Sequence, residues 1–422
     1  MSKKIAVIGS GIAGLAVSYL LNKNHDVHLY EKNEYFGGHT NTISVKDQDN
    51  TALNIDTGFI VFNSKNYPVF LNMLTNLNIP YIKSDMSFSY NNPEKKLTYC
   101  GGRNIYSLLG KLSNIFNYSH LNFLFQIKRI SRKMLEDQAQ GITIGKTLYE
   151  YLNEQKTPTQ VINDYFLPMG AAIWSSEIKQ INDFPVDSYI TFFNNHGLLF
   201  NKKNPVWYSI SNGSQSYVRK IISTLDNKAQ KSTEILKVTR SSKDVSLHLN
   251  NGNIEKFDLV VIATHANDSL KLLENPTEQE KMLLSKWKYS KNNVVLHSYT
   301  KFLPKNKYLW ASWNFLKHGV EDNAPSTITY NMNRLQSLNT NSSYFVTLNP
   351  HIGIPSEYVL YKTQYTHPIF DNSSINTQKY LPSLNGVQNI YYCGSYFGYG
   401  FHEDAINSAI KVVEEIDGTY EF

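Results

Sequence analysis

The stretch Ile5-Ala6-Val7-Ile8-Gly9-Ser10-Gly11-Ile12-Ala13-Gly14-Leu15-Ala16-Val17 decides the fold of this 422-residue chain. Its pattern predicts a buried strand, a tight glycine turn and a helix. Gly9 permits the sharp turn, Gly11 leaves room for a pyrophosphate beside the backbone, and Gly14 lets the helix pack against the sheet. The phosphates would bind at the helix N-terminus, where free N–H groups and the macrodipole favour an anion. The stretch therefore predicts a dinucleotide-binding unit.

The residues that follow strengthen this prediction. A second apolar strand at Val27–Tyr30 ends in Glu31, which stands 22 residues after Gly9. A carboxylate at this point can accept hydrogen bonds from a ribose diol. Strand, glycine turn, helix, strand and acid come in the order that dinucleotide binding requires, whereas a turn that only joins a strand to a helix needs no such acid.

Composition limits the classes of protein to which the chain can belong. Its length suggests two domains, or one domain interrupted by another. The net charge of +6 includes no block of Lys and Arg, so we do not expect nucleic-acid binding. The two cysteines, Cys100 and Cys393, lack metal-ligand spacing and favour a reducing compartment. We therefore expect a cytoplasmic protein without a bound metal, which could also lie peripherally on the inner face of a membrane.

The chain alternates between two kinds of pattern. Apolar strands and short helices typical of a doubly wound domain occupy residues 1–80, 206–275 and 386–422. Residues 81–205 contain longer helix-like stretches, and residues 276–385 contain strands rich in Tyr, Trp and Asn. We predict that these two insertions form a second domain, whose residues line a substrate pocket.

Residues 105–135 combine apolar and basic side chains at helical spacing. A basic amphipathic helix of this kind can lie on an anionic membrane surface. The same pattern also fits an ordinary helix with one face in the core and the other in solvent. Both interpretations remain open from the sequence. The residues that form the pattern are Leu108, Leu109, Leu112, Ile115, Phe116, Phe123, Leu124, Ile127 and Ile130, with Lys111, Lys128, Arg129, Arg132 and Lys133.

Motifs in the same order along the whole chain resemble the flavin-containing amine oxidase and phytoene desaturase superfamily. The most similar members are the NAD/FAD-binding proteins that are similar to the N-terminal oxidase-like domain of plant cyclopropane fatty acid synthases. The resemblance implies an α/β fold with a Rossmann-type FAD-binding domain, glutathione-reductase-like with amine-oxidase topology, interleaved with an α+β substrate domain. The motifs are Ile8–Gly14, Tyr30–Lys32, Gly37–His39, Asp56–Phe59, Val61–Asn63, Ser84–Phe88, Trp174–Ser176 and Gly398–Asp404.

The resemblance implies FAD as the cofactor, with its adenine end at the N-terminal strand. The isoalloxazine would lie near residues 37–40, 57–58 and the C-terminal segment. Gly394-Ser395 matches the superfamily's contact with the ribityl chain, where Gly-Asp is commoner. The N-terminus of the last helix would point at the flavin edge that becomes negative on reduction. The implied cofactor contacts are Gly9, Ser10, Gly11, Ala13, Gly14, Glu31, Lys32, Gly38, His39, Thr40, Thr57, Gly58, Val238, Thr264, Gly394, Ser395, Gly400, Phe401, His402 and Ala405.

The chemistry implied by FAD is transfer of a hydride equivalent to or from flavin N5, which needs a C–H bond held over that atom. If the reaction reduces a double bond, a proton donor must face the flavin, and the nearby candidates are Tyr396, Tyr399, His402 and Glu403. His402 and Glu403 could equally form the cap and first turn of the last helix. We expect positioning, packing or pocket-lining roles for His39, His196, His265 and Trp174.

Three functions remain open from the sequence. The first is an FAD-dependent oxidoreductase that desaturates or saturates an apolar substrate such as a lipid acyl chain. The second is a flavin amine oxidase, and the third is a non-catalytic flavoprotein partner of a lipid-modifying methyltransferase. No second strand-GxGxxG-helix unit occurs in the sequence, so we expect oxygen, a quinone or a partner protein to accept the electrons.

Overall fold

The computed structural model describes residues 2–102, 104–199, 205–241, 243–321 and 326–422. The strands are β1 (Lys4–Ile8), β2 (Asp26–Tyr30), β3 (Thr42–Lys46), β4 (Ala52–Asp56), β5 (Phe62–Asn63), β6 (Tyr81–Ser84), β7 (Phe88–Asn92), β8 (Leu97–Gly101), β9 (Trp207–Ile210), β10 (Ala229–Gln230), β11 (Ile235–Arg240), β12 (Val245–Leu249), β13 (Ile254–Phe257), β14 (Leu259–Ile262), β15 (Lys288–His297), β16 (Trp313–Lys317), β17 (Ser326–Asn331), β18 (Phe345–Leu348), β19 (Val359–Ile369) and β20 (Ile390–Tyr392).

The α-helices are α1 (Ile12–Leu21), α2 (Pro68–Asn76), α3 (Ile105–Leu109), α4 (Tyr118–Ala139), α5 (Leu148–Glu154), α6 (Thr159–Val161), α7 (Leu167–Trp174), α8 (Ile178–Asn182), α9 (Val186–Asn195), α10 (Gln215–Ile222), α11 (Ala266–Leu272), α12 (Glu278–Leu284), α13 (Met332–Leu335), α14 (Asn372–Gln378) and α15 (His402–Asp417). A π-helical segment, Ile162–Phe166, joins α6 to α7, and a 3₁₀ helix at Leu112–Phe116 precedes α4.

A five-stranded parallel sheet in the order β10-β2-β1-β14-β20 forms the base of the fold. Its central strand β1 is buried on both faces, which explains its uninterrupted apolar sequence. Successive side chains of a strand point to opposite faces. Ile5 and Val7 accordingly pack with α1, α10 and α15, while Ala6 and Ile8 pack toward the antiparallel meander β11-β12-β13.

A seven-stranded sheet in the order β19-β15-β18-β17-β16-β7-β8 lies in the substrate part of the chain. Strands β7 and β8 come from the first predicted insertion, and β15 to β19 come from the second. The strands of the first insertion join those of the second where β16 pairs in parallel with β7, with Phe315 opposite Tyr90. Both predicted insertions therefore contribute strands to one sheet.

Helices α3 to α9 form the helical part of the first insertion. The buried side of α4 places Phe123, Ile127 and Ile130 in the same apolar core as Trp174 at the end of α7. The predicted α/β fold class agrees with these layers. In the part of the chain that the structure describes, no helix is both long and apolar enough to cross a bilayer.

Candidate functional site

A cavity of about 1010 Å³ opens between the two large sheets. The ends of β1, β2 and β14 border it on one side, and β15, β16, β17 and β19 border it on the other. Sixteen of the twenty predicted cofactor contacts line it. These sixteen are Gly9, Ser10, Gly11, Ala13, Glu31, Lys32, Gly38, His39, Gly58, Thr264, Gly394, Ser395, Gly400, Phe401, His402 and Ala405.

The three glycines of the first turn have different surroundings. Gly9 has a φ of +100°, and a Cβ there would lie 2.9 Å from the carbonyl oxygen of Ala263. A Cβ on Gly14 would lie 1.9 Å from the carbonyl oxygen of Gly9, so this glycine allows the contact between α1 and the turn and does not line the cavity. A Cβ on Gly11 would meet no described atom within 4 Å. Gly11 therefore leaves open space at the cavity wall.

Glu31 is tied to the glycine turn by hydrogen bonds. Its Oε2 accepts from the backbone N–H of Ser10 at 3.0 Å and from the Ser10 hydroxyl at 2.6 Å, and its Oε1 accepts from the N–H of Asn33 at 2.9 Å. The N–H of Gly37 donates to Ser10 Oγ at 3.1 Å. This network fixes the acid of β2, the first turn and the Gly37-Gly38 loop relative to one another.

The N-terminus of α1 is open toward the cavity. Its N-cap residue, Gly11, provides no side-chain cap, and the first turn of the helix contains no acidic residue. Gly11, Ile12 and Ala13 all line the cavity. Free N–H groups and the positive end of the macrodipole at such a position favour a phosphate. Together with the space at Gly11, these features fit the pyrophosphate of a dinucleotide.

The loop that carries His39 and Thr40 packs tightly against the segment after β4. The N–H of Phe59 donates to the carbonyl oxygen of His39 at 2.8 Å, and a Cβ on Gly58 would lie 2.2 Å from that oxygen. Thr40 and Thr57, both predicted cofactor contacts, lie behind the lining and are buried. The Thr57 hydroxyl lies 2.7 Å from that of Tyr365. These two threonines hold the loop in place rather than forming the cavity surface.

His402 begins α15 and lines the cavity. Its Nε2 lies 3.2 Å from both Thr40 Oγ1 and the Tyr217 hydroxyl, and its ring stacks on Phe59 with the ring centroids 3.5 Å apart. Burial is the main cause that lowers the pKa of His402 well below its ordinary value. The ring is therefore neutral near pH ~7 and fixed in orientation.

The other three predicted catalytic residues occupy different positions. Tyr396 lines the cavity and is buried against Trp287, with the ring centroids 5.6 Å apart. Tyr399 lies outside the lining, and its carbonyl oxygen accepts from Trp174 Nε1 at 3.2 Å. Glu403 also lies outside the lining. Its carboxylate accepts from the N–H groups of the first residues of α2, Val69 at 2.9 Å and Phe70 at 3.0 Å, so it caps α2 rather than α15.

Three histidines form a cluster beside the glycine turn. The rings of His39 and His367 have centroids 5.1 Å apart, and those of His39 and His265 are 6.5 Å apart. Burial lowers the pKa values of His39 and His265 to about 4 and that of His367 well below its ordinary range. Nε2 of His39 is buried and has no hydrogen-bond partner among the described residues. This nitrogen is therefore available to a bound molecule.

Aromatic rings from several elements form another part of the cavity wall. Phe192 and Phe401 have ring centroids 4.6 Å apart, and Trp174 lies 5.0 Å from Phe192. Trp313 and Tyr330 meet edge to face at 5.1 Å. Trp174 was expected to line the pocket, and it does. We call this part the aromatic chamber, formed by Trp174, Phe192, Trp207, Trp313, Tyr330 and Phe401.

The sequence did not point to several lining residues. Tyr365 and His367 belong to β19, and Trp313 and Tyr330 belong to β16 and β17. No motif in the sequence marks any of them.

The structure places Val238, a predicted contact, outside the lining. Its carbonyl oxygen accepts from the N–H of Glu274 at 3.1 Å, and residues 233–236 line the cavity instead.

Comparison with known proteins identifies the fold. Residues 7–77 match the family described as NAD(P)-binding Rossmann-like domain. No curated protein sequence matches the chain. Among solved structures, putrescine oxidase bound to putrescine is similar with a TM-score of 0.71 at 11% identity, over 99% of both chains.

Two further structures have the same architecture over nearly their whole length. Cyclohexylamine oxidase from Brevibacterium oxydans has a TM-score of 0.70 at 13% identity, over 99% of this chain and 100% of that one. The CLA-producing fatty acid isomerase from P. acnes has a TM-score of 0.66 at 14% identity, over 98% of both chains. The chain therefore has the fold of these two oxidases and of the isomerase over nearly its whole length, and the resemblance predicted from the sequence is confirmed at the level of the fold.

Proposed function

We propose that this protein is an FAD-dependent oxidoreductase that removes or adds hydrogen on an apolar substrate such as a lipid acyl chain. The observation that carries the proposal is the continuous cavity, which joins an open glycine turn and helix N-terminus to the aromatic chamber. A dinucleotide suits the first end and a hydrocarbon suits the second.

The residues at the first end fit FAD. Glu31 would hold the ribose, while Gly11 and the N–H groups of α1 would hold the pyrophosphate. The loop around Gly38 and the segment Gly394-Ser395 line the same cavity. Bound FAD would accept or donate a hydride equivalent. The open space at Gly11 and the unpartnered His39 Nε2 support this assignment.

The chain's own residues orient the substrate and exclude water. Trp174, Phe192 and Tyr330 are buried and offer flat apolar surfaces to a C–H-bearing chain. Neutral His402 is fixed by Thr40 and Tyr217 at the cavity wall and is the first candidate for proton transfer, in which accepting a proton would make its ring a cation. Tyr396, which also lines the cavity, is the second candidate for proton transfer.

The charges around the cavity favour an apolar substrate over a cationic one. Among the described lining residues the carboxylates are Glu31, Glu234 and Asp268. All three lie on segments predicted to form the dinucleotide-binding domain, whereas Trp174, Trp313 and Tyr330 of the chamber come from the two predicted insertions, which contribute no carboxylate to the described lining. A protonated amine in the chamber would therefore have no carboxylate partner there.

A flavin amine oxidase is the second candidate, favoured by the shared fold with putrescine oxidase and cyclohexylamine oxidase. The test begins with anaerobic mixing of the purified flavoprotein with unsaturated, saturated and methylated phospholipids. We expect one of these lipids to bleach the oxidised flavin spectrum, or to restore it after chemical reduction. Indifference to every lipid, together with hydrogen peroxide release from an amine panel, would establish the amine oxidase instead.

A non-catalytic role would give a third result. The flavin would then respond to neither lipids nor amines, and the protein would co-purify with a methyltransferase. For the enzyme, we propose oxygen, a quinone or a partner protein as the electron acceptor. The test is the rate at which the reduced protein is reoxidised in air and by a soluble quinone. Fast reoxidation by either one identifies oxygen or a quinone as the acceptor, and slow reoxidation by both indicates a partner protein.

A further inference from the structure

The segment from α3 to the start of α4 exposes large apolar side chains. Phe116 is 91% exposed and Tyr118 is 83% exposed. Six of the thirteen large apolar side chains that are more than half exposed in the described residues fall between positions 106 and 125. Soluble surfaces usually scatter such residues singly. We call these six the apolar patch: Tyr106, Leu112, Ile115, Phe116, Tyr118 and Phe125.

The packing of α4 does not account for the patch. The helix buries Phe123, Ile127 and Ile130 in the core, as an ordinary amphipathic helix would. Tyr118 and Phe125 lie seven residues apart on the opposite face, so they share one side of the helix. This second apolar side has no covering element among the described residues, since both rings are more than half exposed.

The exposed face of α4 changes from apolar to basic along its length. Lys128, Arg129 and Arg132 are exposed and continue the line of Tyr118 and Phe125. At a rise of about 1.5 Å per residue, the first cation lies roughly 5 Å along the axis beyond Phe125. The sequence contains no Asp or Glu from residue 97 to residue 135. The apolar end is therefore followed by cations with no acid beside them in the sequence.

A second basic segment joins the patch from far along the chain. Nδ2 of Asn104, just before α3, lies 2.7 Å from the Tyr308 hydroxyl. Lys305 and Lys307 shortly precede this tyrosine and are exposed, and no acidic residue occurs from residue 281 to residue 320. Two segments nearly 200 residues apart thus bring exposed cations to the same surface as the exposed rings.

We propose that the apolar patch inserts into the surface of an anionic lipid bilayer, with Lys128, Arg129 and the Lys305–Lys307 segment binding headgroup phosphates. Aromatic and aliphatic side chains at the headgroup boundary, with cations next to them, match the chemistry of an anionic leaflet. A second copy of the chain matches less well, because a two-fold interface would bring the same cations together. The inference does not depend on the proposed function, although a bilayer would also be the source of a lipid substrate.

Flotation of the purified protein with vesicles tests the proposal. We expect binding to vesicles of phosphatidylglycerol and phosphatidylcholine, and about tenfold weaker binding to phosphatidylcholine alone. The double variant Phe116→Ser/Tyr118→Ser should lose about tenfold or more of the binding to anionic vesicles. The matched control Ile254→Ser/Met282→Ser removes side chains that are 59% and 57% exposed elsewhere and should bind like the unchanged protein.

A labelled variant reports insertion itself. Both native cysteines are buried, so Phe116→Cys can carry a polarity-sensitive dye whose emission should shift to the blue on anionic vesicles. The same dye at Met282→Cys should not shift. Equal vesicle binding by the patch variant and the unchanged protein would overturn the proposal. The proposal would also be overturned if the protein failed to bind vesicles and instead formed a dimer that the Phe116→Ser/Tyr118→Ser substitutions abolish. A colourless protein that binds vesicles would contradict only the proposed function.

Discussion

The carboxylate of Glu31 accepts hydrogen bonds from both the N–H and the hydroxyl of Ser10, at 3.0 and 2.6 Å. This relationship joins the acid at the end of β2 to the turn between β1 and α1. The same carboxylate borders the cavity, where it is 5% exposed. The residue predicted to bind a ribose therefore also holds the turn predicted to bind the phosphates.

Replacing Glu31 should weaken FAD binding directly. In Glu31→Gln the side chain loses its charge and one of its acceptor oxygens. Hydrogen bonds to charged groups contribute about 1.5–3 kcal/mol, so we expect the dissociation constant for FAD to rise roughly tenfold to a hundredfold. Titration of the cofactor-free protein with FAD measures this change. Glu34→Gln, an exposed acid three residues away, is the control and should leave the constant unaltered.

Two glycines of the first turn should separate cofactor binding from folding. Gly11→Ala places a methyl group in open space next to the cavity, and the φ of Gly11 is −61°, which alanine adopts without strain. We expect unchanged stability of the cofactor-free protein and at least roughly tenfold weaker FAD binding. Gly14→Ala drives a methyl group against the Gly9 carbonyl and should destabilise the fold by about 3 kcal/mol.

Thermal unfolding of both cofactor-free variants checks this contrast. Equal destabilisation by the two substitutions would mean that Gly11 has a packing role. Full FAD affinity in Gly11→Ala would mean that the phosphates do not approach this part of the backbone.

Glu403 should affect stability rather than turnover. Its carboxylate caps the N-terminus of α2, whose own N-cap residue Tyr67 makes no side-chain cap. Glu403→Gln should lower the free energy of unfolding by about 1–2 kcal/mol and leave turnover per bound flavin unchanged. The exposed Glu415 lies on the same helix, and Glu415→Gln should change neither quantity. Loss of turnover at unaltered stability would instead support the catalytic role predicted from the sequence.

Buried His297 should make stability depend on pH. Nε2 of His297 lies 2.7 Å from Thr347 Oγ1, and burial lowers the pKa of the ring from 6.5 to about 4. Above pH ~6.5 the neutral ring is favoured in both folded and unfolded chains. Between about 6.5 and 4 the unfolded chain binds the proton first, so stability falls as the pH falls. The loss from this residue should be about 2 kcal/mol from pH ~7 to ~5.

Denaturant unfolding of the unchanged protein and of His297→Gln at these two pH values isolates the effect. The variant should be less stable near neutral pH and should lose less stability on acidification. The comparison is needed because Asp56 and Asp404, whose pKa values burial raises to about 6, act in the opposite direction. Identical pH dependence of the two proteins would show that His297 does not titrate as described.

The part of the site that the sequence predicted best lies within one local unit. Gly9, Gly11, Gly14 and Glu31 fall inside a single strand-helix-strand segment, where the order of elements fixes the positions of the side chains. The C-terminal segment around His402 was placed at the cofactor by the resemblance, through the motif Gly398–Asp404 that ends in the first turn of a helix. Local geometry is sufficient only for the first of these two predictions.

The other wall of the cavity depends on pairing between distant segments. His367 and Tyr365 reach the site because β19 pairs with β15 in a register that places them opposite Ser290 and Asn292. Nothing in the composition of β19 fixes that register. Val238 illustrates the same difficulty, because β11 carries an irregularity between Ile235 and Lys237 that alters which residues face the cavity.

The measurement that tests the central claim most directly is identification of the small molecule released when the purified protein is denatured. The account predicts a yellow protein that releases FAD, one molecule per chain, and Gly11→Ala protein that releases much less. A colourless protein that releases no flavin, and takes up none on incubation with FAD, would contradict it.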